Sequence, residues 1–120
     1  MTGSIFERCG GFATVRKVIS AFYDKVLDSP RLSHHFASVD MRALIDHQTK
    51  FVTSIMGGPA SFPDAQIQRA HARLGITRAE FRELVELMVG TLAEHGLAEA
   101  DLAHVRQELD RREPLIVTRD

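Results

Sequence analysis

The chain has 120 residues, 44% hydrophobic and 26% charged, with 15 Lys and Arg against 16 Asp and Glu and a net charge of −1. Such a composition suits one ordinary globular domain with one core, and the absence of a basic excess or stripe argues against nucleic acid as a partner. No apolar run approaches the ~20 residues that a bilayer span requires, the single Cys9 makes no internal disulfide, and Met1-Thr2-Gly3-Ser4 lacks the charged and apolar regions of a signal peptide. The expectation is a single soluble, cytoplasmic domain over residues 1–120, without membrane insertion.

In chain order, Gly10-Gly11 breaks the chain before the first strong pattern, Val15, Val18, Ile19, Phe22, Tyr23, Val26 and Leu27. Steps of three and four mark one face of a helix, and Pro30 closes it. Residues 31–38 read as a short helical turn carrying Leu32 and Phe36. Asp40 is an N-cap for a helix with Leu44, Phe51, Val52 and Ile55 inward and Gln48 among them. Gly57-Gly58-Pro59 ends that helix, and residues 57–64 read as a loop. A weak helix follows from about Asp64 to Leu74, stopped by Gly75. Thr77-Arg78-Ala79-Glu80 is a capping box opening a helix with Phe81, Leu84, Val85, Met88, Val89 and Leu92 on one side. Gly96 ends it. The last helix runs from about Ala98 to Arg112 with Leu102, Val105 and Leu109 inward, and Pro114 ends it. Residues 113–120 read as a C-terminal tail, either frayed or the start of a linker. Helical periodicity nearly throughout predicts an all-α bundle.

Three polar residues stand where apolar ones are expected: Tyr23, Gln48 and His71. A buried polar group without a partner costs roughly 1–3 kcal/mol, so each needs one. Tyr23 and Gln48 can satisfy each other, or something polar can lie between them and His71. Haem iron fits the second case: it takes a neutral imidazole on one side, and its macrocycle needs a flat apolar slot. Phe36, Phe51, Leu74, Phe81, Leu84 and Met88 supply apolar surface for one. A phenol hydroxyl and an amide NH₂ are both donors for a gas ligand that gains negative charge.

The chain resembles the group I truncated haemoglobins on several segments: Gly10-Gly11, Phe22-Tyr23-Asp24-Lys25-Val26-Leu27, Pro30-Arg31-Leu32 with Phe36, Val39-Asp40-Met41, His47-Gln48, Phe51, Gly57-Gly58-Pro59, Ala70-His71-Ala72-Arg73-Leu74-Gly75-Ile76, Phe81 and Gly96-Leu97. The resemblance implies a two-over-two helical sandwich holding haem b. His71 would be the proximal ligand, Phe36 the aromatic against the porphyrin, and Tyr23 and Gln48 the distal donors. Leu44 would stand where other globins carry a distal histidine, and Phe51 and Val52 near a gas tunnel. His47 would either meet a propionate at the rim or ligate iron as a sixth ligand; since a helix turns about 100° per residue, it and Gln48 cannot both face the iron. Arg69 and Arg73 flank His71 within reach of a propionate. The stretch Glu108 to Pro114 contains no histidine, so covalent haem attachment there is not expected.

Dioxygen, nitric oxide and carbon monoxide are the implied ligands. The same pocket serves either reversible gas binding or a nitric oxide dioxygenase, the latter with an external reductase because the chain has no flavin or nicotinamide motif. Ligation by both His71 and His47 would instead suit redox work, and a haem-free helical interaction domain is the plainest alternative. His34 and His35 read as solvated.

Overall fold

The computed structural model describes residues 3–119. They form seven α-helices: α1 (Ile5–Cys9), α2 (Gly11–Asp28), α3 (Met41–Ile55), α4 (Asp64–His71), α5 (Arg78–Glu94), α6 (Glu99–Arg111) and α7 (Glu113–Ile116), with one 3-10 turn at Ser33–Phe36 between α2 and α3. Among the described residues the only β pairing is an isolated bridge between Thr77 and Arg119. The expected all-α class is what forms.

Helix α2 packs on both α3 and α5, and α5 packs on α6. Two helix pairs are thus stacked through α2 and α5, the two-over-two sandwich that the sequence resemblance implies. The periodic face of α2 supplies the centre: Val15, Val18, Ile19, Phe22 and Val26 are buried, and Leu32, Val52, Leu92 and Val105 meet them from other elements. Each large apolar side chain taken fully from water stabilises the fold by about 1.5–3 kcal/mol.

Local chemistry sets the helix ends. Asp40 accepts the Ala43 N–H at 3.2 Å and caps α3. Thr77 and Glu80 form a reciprocal box at the start of α5: Thr77 Oγ1 accepts the Glu80 N–H at 3.1 Å, and Glu80 Oε1 accepts the Thr77 N–H at 2.9 Å. Gly10, at φ +117°, ends α1 in the left-handed region, and a Cβ there would sit 2.3 Å from Thr14 Oγ1. Gly58 is required for a different reason: a Cβ would lie 2.4 Å from Thr53 Cγ2 and 2.8 Å from the Phe6 ring. The first turn of the chain therefore seats directly on the end of α3, with the Phe6 N–H donating to the Met56 carbonyl at 3.1 Å.

The C-terminal tail corrects the sequence reading. Pro114 does not end the chain's helical structure but stands in the first turn of α7, where its missing N–H has no intrahelical partner to lose. Ile116 is buried, and the Thr118 and Arg119 N–H groups donate to the Ile76 carbonyl at 3.0 and 3.2 Å. Residues 113–119 are thus packed against the body rather than frayed; Asp120 lies outside the described residues. The weak helix is also shorter than expected. It stops at His71, and the Leu74 N–H turns back onto the His71 carbonyl at 3.1 Å.

Candidate functional site

An apolar cavity of about 270 Å³ lies between α3, α4 and α5, with the 3-10 turn and α7 at its edges. Phe22, Leu32, Phe36, Leu44, Phe51, Val52, Leu74, Phe81, Leu84, Val85 and Met88 line it, together with Val39, Phe62, Ile67, Ile76, Leu109 and Ile116. Tyr23, Gln48 and His71 line it too, so the three polar residues singled out by the sequence meet in one place. A wider trough of about 550 Å³ beside Val89, Leu102 and Arg106 is open to solvent, and its Arg106 is paired with Glu86. It gathers no set of convergent polar groups.

On the wall formed by α2, the Tyr23 ring is buried and packs edge-on against Phe22 at 4.8 Å and Phe36 at 5.8 Å. Burial pushes its phenol far above the ordinary tyrosine range, so the group is a donor and never a phenolate at any ordinary pH. Among the described residues the hydroxyl has no hydrogen-bond partner. Gln48, half-buried on α3, does not supply one. Of the two ways of satisfying this pair, mutual hydrogen bonding is therefore not the one adopted.

On the facing side, α4 carries His71 at its last position. Its Nδ1 lies 2.7 Å from the Ile67 carbonyl, one turn back. A carbonyl only accepts, so Nδ1 carries the proton, and in the neutral ring Nε2 keeps its lone pair. The site thus pairs an oriented imidazole lone pair with an unpartnered phenol donor, inside a slot walled by aromatic and aliphatic side chains. That donor set fits a haem: a neutral nitrogen for the iron, an apolar bed for the macrocycle and a hydrogen-bond donor for what the iron binds.

The remaining sequence-selected residues are placed as follows. His47 lines the cavity but is exposed, its ring edge-on to Phe62 at 5.1 Å. Leu74 is 47% exposed and stands at the mouth. Arg69 and Arg73 are exposed and are not part of the lining. His35 departs from expectation: its side chain is 13% exposed rather than solvated, and it lines the cavity edge. Sequence reasoning also missed Phe62, Ile67, Ile76, Leu109 and Ile116. Ile67 and Ile76 bracket His71 and carried a usable signal; Leu109 and Ile116 arrive from the far end of the chain and carried none.

The family described as Bacterial-like globin matches residues 4–116. The chain belongs to that family. It is 31% identical over 97 residues to a group 1 truncated haemoglobin of Tetrahymena pyriformis, covering 81% of this chain and 80% of that protein. A group 1 truncated haemoglobin of Synechocystis is 32% identical over 106 residues, covering 85% and 86%. The crystal structure of the Tetrahymena pyriformis truncated haemoglobin in its Fe(III) form superimposes with a TM-score of 0.86 at 26% identity, over 96% of this chain and 98% of that one. The 2/2 haemoglobin of Synechococcus sp. PCC 7002, in a cyanomet state with covalently attached haem, gives 0.87 at 28% identity over 98% and 100%. The truncated globin family implies haem-based binding of diatomic gases. No described helix is long and apolar enough to cross a membrane.

Proposed function

We propose that this truncated globin holds haem b through His71 and binds dioxygen reversibly, with Tyr23 and Gln48 as the distal donors. One observation carries the reading: the hydroxyl of the buried Tyr23, without a hydrogen-bond partner among the described residues, borders an apolar cavity that also contains an oriented imidazole. When bound, haem would supply an iron able to bind a diatomic gas. The chain's own part is threefold. The Ile67 carbonyl fixes the His71 ring by accepting a hydrogen bond from its Nδ1–H. Phe36, Leu44, Phe51, Leu74, Phe81 and Leu84 exclude water from the slot, which strengthens any hydrogen bond made inside it. Tyr23 then donates to the gas ligand from a ring already locked between Phe22 and Phe36, so little ordering is needed on binding. Gln48, less buried, adds a second donor and adapts to ligands that accept only one bond.

His47 belongs at the haem rim in this reading. Its exposure and its packing on Phe62 favour contact with a propionate over iron ligation; Arg73, exposed two positions after His71 and outside the lining, would meet a propionate only by swinging inward. The unliganded ferrous protein is therefore expected to give a five-coordinate high-spin spectrum.

The test is Tyr23→Phe. Dioxygen dissociation followed by stopped flow should quicken about five-fold or more, the equivalent of one hydrogen bond of roughly 1 kcal/mol. An unchanged rate removes Tyr23 from the distal role.

A further inference from the structure

A second cluster of metal-ligating side chains lies at the start of α5, outside the donor set just described. His34 and His35 occupy the 3-10 turn, and Glu80 faces them from the first turn of α5. One ligand atom from each of the three lies within 4.8 Å of the other two. His35 Nε2 is 3.1 Å from Glu80 Oε1, and His34 Nε2 is 3.6 Å from Glu80 Oε2. The two imidazoles are side by side, ring centroids 4.0 Å apart.

Two features separate this cluster from an ordinary surface ion pair. The Glu80 side chain is only 9% exposed. His35 Nε2 is buried and, despite its nearness to Glu80, lies off the axis of a hydrogen bond and has no partner. A buried ring nitrogen left unpaired costs roughly 1–3 kcal/mol. The arrangement leaves His35 Nε2 poorly satisfied, with only the off-axis Glu80 carboxylate beside it.

We propose that His34, His35 and Glu80 form a binding site for a borderline divalent transition ion, with zinc as its reference case. Two imidazole nitrogens and one carboxylate oxygen are the donors that zinc takes at about 2.0–2.2 Å, and a tetrahedral centre with such bonds sets its ligand atoms about 3.3 Å apart. The observed spacings, 3.1 Å from His35 to Oε1 and 3.6 Å from His34 to Oε2, lie on either side of that edge. With the three ligand atoms within 4.8 Å of one another, a small turn of the His35 ring toward Oε2 and a closing of the two imidazoles complete the set. Water completes the coordination on the exposed His34 side. Oxygen-preferring ions such as magnesium are not matched by two imidazoles. Glu80 can ligate without leaving its structural post: Oε1 goes on accepting the Thr77 N–H at 2.9 Å while Oε2 faces the metal. The neighbouring acid on α5, Glu83, is already engaged by Ser29 at 2.6 Å and by Arg31 at 3.6 Å and is not a ligand. Occupancy would tie the turn that carries Phe36 to α5.

The experiment is calorimetric titration of zinc chloride into the full-length protein as purified, with magnesium chloride as the control. The expected result is saturable binding of one zinc per chain and none of magnesium. His34→Ala, an exposed position with little bearing on folding, should weaken binding about ten-fold or more. Glu80→Gln should do the same while keeping a residue type that the capping box accepts; unchanged helical circular dichroism and a cooperative melt of the metal-free variant confirm an intact fold. Zinc raising the melting temperature of the parent but not of either variant completes the pattern. Absence of saturable heat overturns the proposal, and so does zinc binding that is unchanged in both variants. Neither readout involves the haem, so its outcome is independent of the fate of the gas-binding reading.

Discussion

The two faces of the cavity are built to different standards. The wall that carries Tyr23, distal in the proposed reading, stands on α2 and α3, long helices whose inner residues are buried almost completely, from Val15 through Val26 and from Phe51 through Ile55. The segment that carries His71, proximal in that reading, stands on α4, eight residues with Ile67 as its single buried side chain and no side-chain cap at Pro63. It is held from outside, by α7 packing across it and by the tail's hydrogen bonds to Ile76. The contrast shows how orientation is obtained in each case. Tyr23 is aimed by packing, between Phe22 and Phe36. His71 has little packing to aim it and is oriented by one hydrogen bond, from Nδ1 to the Ile67 carbonyl. Segments with few buried contacts open locally at low cost, so a ligand placed there needs a directional bond more than a well-packed one does.

The largest effect follows from removing the imidazole. His71→Ala should speed haem loss about 100-fold or more, a direct ligand mattering at least as much as the outer partners of metal sites do. Free imidazole in solution should restore much of the retention. The haem-free chain should keep its stability within about 0.5 kcal/mol, because the position is only half-buried and alanine favours the helix. Haem transfer to an acceptor globin measures the first quantity and urea unfolding the second. If haem loss is unchanged, the proximal segment is not where the group is held, and the contrast between the two faces loses its functional meaning.

A smaller effect sharpens the boundary where the proximal segment ends. Thr77 and Glu80 close it with the reciprocal cap that begins α5. Thr77→Ala should cost about 1 kcal/mol at neutral pH by denaturant unfolding. Burial pushes the Glu80 carboxyl up, but the bond from the Thr77 backbone and the nearness of His35 outweigh it and hold the group below its ordinary 4.5. A carboxyl lowered in the folded state contributes stability that is complete above that ordinary value and is lost as pH falls through the lower, folded one. The steepness of the acid limb should therefore lessen in Glu80→Gln, and an unchanged limb would show that another group drives it.

Much of this was legible in the chain, and the exceptions have physical causes. Helices α2, α3, α5 and α6 announce themselves because each buries one face of a long periodic pattern, and their caps at Asp40 and Thr77 act locally. Tyr23, Gln48 and His71 stood out as polar residues on apolar faces, a signal that needs no knowledge of tertiary contacts. Helix α7 did not, because Pro114 has opposite meanings at a helix stop and in a first turn, and only packing of Ile116 decides between them. His35 was misread for a similar reason. A His-His pair in a polar turn looks solvated until Glu80, 45 residues later, is brought against it. Nor could the cavity lining from Leu109 and Ile116 be anticipated, since nothing local distinguishes them from other core positions.

The smallest effect tests the well-packed face at an unsatisfied hydroxyl away from the cavity. Buried threonines in helices ordinarily donate to the carbonyl one turn back, and Thr49 and Thr91 do so, to Ile45 at 2.7 Å and to Leu87 at 2.6 Å. Thr53 is fully buried on α3, yet its Oγ1 has no partner. Its methyl lies against Gly58, where an added Cβ would come within 2.4 Å of it, and a β-branched side chain has few rotamers to choose among. Thr53→Val keeps the shape and removes a hydroxyl that is desolvated without compensation. It should therefore raise stability, by about 0.5–1 kcal/mol in urea unfolding, where most core substitutions lower it. A loss of stability instead would mean that the hydroxyl is satisfied in solution, and that the distal wall is less dry than its packing implies.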